Sequence, residues 1–199
     1  MNTPAGSVPA SAKLEKVKGR IPKMRRVPGR ARLTPMMRFS LRRASYHEAG
    51  HYIALRSFGV HGMAHVLPTG RRGQRAFTGW VEPLSPLPPR ADAVVSWAGP
   101  LAECLFHERD KDPRQLLRDP QWLDYGYFAA WFRASDSDRR GIKRHPRDRR
   151  TFLAAARVLL KWLDNLKFSA WLFYGWAHTA EERPELVVPP EVIARLNQP

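Results

Sequence analysis

Cysteine is nearly absent: Cys104 is the only one in 199 residues. A lone thiol closes no intrachain disulfide and builds no cysteine-rich zinc knuckle. It reads as a small apolar residue within a helix, and the chain reads as intracellular, in the cytoplasm. Long apolar runs are missing too. The longest candidate span, residues 168–180, holds 13 uncharged residues and includes His178, well short of the roughly 20 that span a bilayer. The first residues have no apolar signal core, and there are no repeats. No segment has the form G-x-x-x-x-G-K-[ST], so no ATP site of that kind is expected. Acidic residues are scarce. Against 34 Lys and Arg stand 18 Asp and Glu, a formal net charge of +16, which calls for an explanation of its own.

What is present begins with His47-Glu48-Ala49-Gly50-His51, of the form H-E-x-x-H. On a helix, residues four apart share a face, so both imidazoles can converge on one metal ion. Glu48 points to the same side and is free to act as a base. The surroundings predict a helix from Thr34 to Gly59. Thr34-Pro35 has the form of an N-cap followed by Pro at the first helical position, and Gly59 stands where a C-terminal stop belongs. Ala44, His47, Glu48, His51, Leu55 and Phe58 make one continuous stripe. Gly50 costs about 1 kcal/mol of helix stability against Ala, which suggests that another backbone comes close there.

Residues 1–35 read as a disordered basic arm, and 36–199 as the folded domain. The arm carries nine Lys and Arg against Glu15, a charge of +8, and no apolar period. Either it grips a nucleic acid or other polyanion through phosphates, or it is a solvated tail. Val60 to Pro83 predicts a β-hairpin, with strands at 65–67 and 76–81 around a Pro-Thr-Gly-Arg-Arg-Gly turn. His61 and His65 read as surface or strand histidines. Ala91 to His107 predicts a helix with a kink at Gly99-Pro100, and residues 108–119 a charged loop. Trp122, Tyr125, Tyr127, Phe128, Trp131 and Phe132 in 121–133 read as core packing. Ser135, Asp136 and Asp138 form a helix start, followed by a basic face over 139–150. Helices at 148–163, 166–182 and 191–196 complete the chain. The two histidines need a third ligand. Glu103, Asp136 and Asp138 are the candidates, and a short carboxylate at a helix N-terminus, as at Asp138, is held ionised by the local dipole.

These segments resemble the peptidase domain of the FtsH-type ATP-dependent zinc metalloproteases. Ser45-Tyr46-His47-Glu48-Ala49-Gly50-His51 is close to that family's metal-helix signature. Gly79-Trp80 is similar to the end of the hairpin that follows it there. Ala98-Gly99-Pro100-Leu101-Ala102-Glu103 resembles a Gly-Gly-x-Ala-Ala-Glu helix, and Ala134-Ser135-Asp136-Ser137-Asp138 a Gly-Ala-Ser-Asn-Asp segment. The resemblance implies Asp138 as third ligand. Pro100 and Arg139 depart from the pattern, and the ATPase module and membrane helices of the family have no counterpart here.

The expectation is a mainly helical α+β, zincin-like domain with a small β-hairpin beside the metal helix. It is expected to be a stand-alone zinc metalloendopeptidase. His47, His51 and Asp138 bind Zn2+, and Glu48 is the general base toward a zinc-activated water. The partner is a peptide or protein substrate, with a nucleic acid or other polyanion possible at the arm. The alternative is a nucleic-acid-associated or peptide-binding adaptor protein whose zinc site is structural or inactive.

Overall fold

The structure, a computed structural model, describes residues 33–69, 76–144 and 148–179. The described residues are mainly helical, with one small antiparallel sheet. The order is α1 (Pro35–Ser57), β1 (Gly62–Thr69), β2 (Ala76–Pro83), α2 (Pro89–His107), α3 (Pro113–Leu116), α4 (Pro120–Arg133), α5 (Asp136–Lys143), α6 (Asp148–Lys161) and α7 (Leu163–Thr179). Three helices begin with Pro behind an oxygen-bearing cap: Thr34 for α1, Asp112 for α3 and Asp119 for α4. Pro gives up no hydrogen bond there, because the first N–H of a helix has no internal partner. Gly59, with φ +73°, ends α1 in the left-handed region open to glycine.

α1 is the hub. It packs against α2, α6, α7 and both strands. It comes close to α2 at Gly50, where an added Cβ would lie 2.7 Å from the Ala102 Cβ and overlap the Ala98 carbonyl. Glycine here provides room rather than freedom of φ. On the other side of α2, Trp97 is fully buried. Its ring centroid lies 5.1 Å from Tyr127, 5.3 Å from Phe152 and 6.0 Å from Trp131, so α4 and α6 close on α2 through aromatic packing.

β1 and β2 pair antiparallel from Gly62 opposite Pro83 to Thr69 opposite Ala76. Ala64, Val66 and Phe77 turn inward onto α1. The Phe77 N–H donates not to β1 but to Ser40 Oγ on α1, at 2.9 Å. By the alternation of an antiparallel ladder, the N–H and C=O groups of Gly79 and Val81 also face away from β1, and they form an open strand edge.

Several expectations need correction. α2 runs through Gly99-Pro100 as one continuous helix. Packing on α1, α4, α5 and α6 holds it against the hydrogen bond Pro100 lacks. Residues 108–119 include the short α3. In α4, Trp122 is buried, but Tyr125, Phe128 and Phe132 are 60%, 61% and 77% exposed. They form an aromatic ridge on the surface, not core. Leu33, inside the stretch given to the arm, is buried. The rest of the arm, residues 1–32, the hairpin turn at 70–75 and the helix at 191–196 lie outside the described residues. No helix among the described residues is long and apolar enough to cross a membrane.

Candidate metal centre

α1 brings His47, Glu48 and His51 to one face, and α5 supplies Asp138. His47 Nε2 lies 3.3 Å from Asp138 Oδ2, and His51 Nε2 3.2 Å from Asp138 Oδ1. One donor atom from each of the three falls within 4.8 Å of the others, a group that could hold a metal ion. Asp136, two residues earlier, is exposed and stands outside the cluster.

Each ligand is oriented from behind. His51 Nδ1–H donates to the Val95 carbonyl of α2 at 2.7 Å. His47 Nδ1–H donates to Glu103 Oε2 at 3.0 Å. Both bonds fix the tautomer and leave each Nε2 lone pair for a metal. Glu103, weighed as a ligand, is instead the partner of His47. The Asp138 carboxylate belongs to a capping box at the start of α5: Oδ2 accepts from Ser135 N–H at 2.9 Å and from its hydroxyl at 2.8 Å, while the Asp138 N–H donates to Ser135 Oγ. This is the reciprocal bonding that fixes a helix N-terminus, and here it also aims a candidate ligand.

The charges are strongly coupled. Burial alone would lower the His47 pKa, but hydrogen bonds to Asp138 and Glu103 outweigh it and push it up to about 10. His51 is raised as well, since the Asp138 charge and hydrogen bond overcome burial. Asp138 resists the upward push of burial and is held well below the usual carboxylate range by the two imidazoles. Glu103 is also lowered despite burial, by its bond to His47 and then by the charges of His47, Arg43 and Arg133. Glu48 goes the other way: burial raises it, and the imidazoles offset only part of that.

Glu48 is nearly inaccessible, and its buried Oε2 has no hydrogen-bond partner. Gly79 of β2 lies against its side chain, where a Cβ would overlap the Glu48 Cγ. Gly99 of α2 plays the same part for His51, since a Cβ there would overlap the imidazole. The cluster opens into a cavity of about 510 Å³ lined by α1, the β2 edge, the start of α2 and the start of α5.

Compared with known protein families and with curated proteins, the chain matches none. The site is therefore read from its own atoms. His61 bonds to Arg56, and His65 stacks on Trp80 at 4.4 Å; neither joins the cluster. Sequence reasoning missed the roles of Glu103, Val95, Gly79 and Gly99. The small residues Ala98, Gly99 and Ala102 along one stretch of α2 are the signal that another helix packs closely there.

Proposed function

We propose that the protein is a zinc-dependent peptidase whose site is His47, His51 and Asp138 with Glu48 as base. The observation that carries this is a single conjunction. Two imidazoles and a carboxylate converge beside a buried carboxylate oxygen that has no partner, at the foot of an open strand edge. A metal held only for structure has no use for Glu48, and an unpaired buried carboxylate is costly.

The donor set fits zinc. Tetrahedral bonds of about 2.0–2.2 Å put neighbouring ligand atoms roughly 3.3–3.6 Å apart; the His47 nitrogen is 3.3 Å from Asp138 Oδ2 and the His51 nitrogen 3.2 Å from Oδ1, close to that spacing, and one donor atom from each residue falls within 4.8 Å of the others. Two nitrogens and one carboxylate also match the three-ligand sets of catalytic zinc, which keep one position open. Zinc bound there supplies Lewis acidity toward a water and toward the scissile carbonyl.

The chain's own residues do the rest. Gly79 and Val81 pair their outward backbone groups with an extended peptide, which lays the reacting bond over the His47–His51 turn. Glu48 takes a proton from the attacking water and returns it to the leaving amine. Glu103 and the Val95 carbonyl keep the imidazoles in register throughout.

The test is Glu48→Gln, which keeps the shape and removes the base. The variant should bind zinc like the wild type and lose hydrolysis of a casein or peptide substrate by about a hundredfold or more. A chelator should abolish wild-type turnover and zinc restore it. Equal turnover by both proteins would sink the reading.

A further inference from the structure

The two ends of the cleft carry different charge. β2 runs beside α1 in the same direction. Phe77 bonds Ser40, Gly79 lies on Glu48, and Val81 and Leu55 meet at Gly62. The metal cluster sits midway between these ends. At the Phe77 end stand Arg43, one turn before His47, and Arg133, the last residue of α4, both lining the cavity. Their guanidinium nitrogens are 3.9 and 3.8 Å from Glu103 Oε1, beyond hydrogen-bond distance. Glu103 already serves His47 and has His107 at 3.8 Å. Arg133 has one long bond to the Ala129 carbonyl, 3.4 Å. One carboxylate thus faces two arginines, and this end keeps a positive excess. The Val81 end is lined by Leu55, Val81, Pro83 and Leu87, and its acid, Asp92, pairs with Arg144 at 3.2 Å.

We infer that Arg43 and Arg133 form a carboxylate-binding subsite that selects peptides acidic on one side of the reacting bond and apolar on the other. The inference rests on the peptidase reading, because it needs a peptide laid along β2. Arginine suits the role through its planar set of donors, which matches a carboxylate. From His47 back to Arg43, α1 rises about 6 Å, the length of roughly two extended residues. The carboxylate therefore lies within about three residues of the bond that reacts. A strand added antiparallel to β2 runs from the Val81 end to the Phe77 end, which puts the carboxylate on the C-terminal side. The group is either an Asp or Glu side chain or the free end of the peptide.

The test is binding by zinc-loaded Glu48→Gln protein, followed by fluorescence anisotropy. The probes are labelled dodecapeptides with an apolar half followed by Asp and Glu, and their Asn and Gln counterparts, each with amidated or free C-termini. Acidic peptides should bind about tenfold more tightly than neutral ones, with the preference weakening in salt. Preference among amidated peptides assigns the subsite to side chains; preference that follows only the free terminus assigns it to chain ends. Arg43→Gln and Arg133→Gln should erase the preference, and Arg133→Glu should turn it toward Lys-bearing peptides. Equal binding of all four classes overturns the subsite. So does a uniform loss across peptides in the arginine variants, which would mean that the arginines only steady Glu103. Wild-type hydrolysis of the same peptides is read separately. Its absence, with the arginine-dependent preference intact, would remove the peptidase activity and leave the subsite standing.

Discussion

A missing methyl group makes room for the His51 ring. Gly99 sits within α2, where alanine is favoured by about 1 kcal/mol, so Gly99→Ala should leave the helix intact or strengthen it. Yet the new Cβ would overlap the imidazole. The ring must turn, and its bond to the Val95 carbonyl must lengthen. Zinc affinity, measured against a chromophoric chelator, should fall about tenfold or more while the circular dichroism holds. Unchanged affinity would mean the ring has slack that the packing does not suggest. Such effects are hidden from a sequence. His47, Glu48 and His51 could be read directly because their geometry lies within one helix. Glu103 could not be separated from the ligands by sequence alone, since its role depends on how α2 lies across α1, and that crossing is set by Gly50, Ala98 and Ala102 rather than by Glu103 itself.

The elements show the same division. The caps at Thr34 and Ser135 are local chemistry, and both helices start where those residues indicate. The exposure of Tyr125, Phe128 and Phe132 is not local. Aromatic content announced that α4 would bury a face, but which face is covered depends on α2 and α6. The unbroken α2 has the same cause, for the hydrogen bond lost at Pro100 costs about 3 kcal/mol and burial on four neighbouring helices outweighs it. The N-terminus of α5 joins both kinds of reasoning, because its cap and its candidate metal ligand are one structure. Ser135→Ala should cost about 1 kcal/mol of stability and should also loosen the Asp138 carboxylate, which keeps the Ser135 N–H and loses the hydroxyl. A thermal melt and a zinc titration on the same variant should therefore fall together. Loss of stability with full zinc affinity would show that Asp138 needs no help from the cap.

For the whole molecule, zinc and pH should act with opposite signs. In chelator, the raised pKa of His47, about 10, means that its pairing with Asp138 and Glu103 stabilises the fold fully below the ordinary histidine value of about 6.5. That contribution is lost as pH rises through about 10. Asp138, held low, loses its share only as pH falls below the usual carboxylate range. With zinc the imidazoles must give up their protons, so metal stabilisation grows as pH rises. At a hundredfold excess over Kd it amounts to about 2.7 kcal/mol. Melting temperatures between pH 7 and 9 should thus fall in chelator and hold or rise in zinc; parallel curves would argue against metal at these residues. The α4 ridge has a consequence for the protein's behaviour in solution. At low ionic strength the net charge of +16 makes copies repel over about 10 Å or more, a colloidal barrier that keeps exposed Phe128 and Phe132 from meeting their counterparts. Salt screens that barrier and leaves the apolar ridge unchanged, so added salt should drive this protein toward clustering.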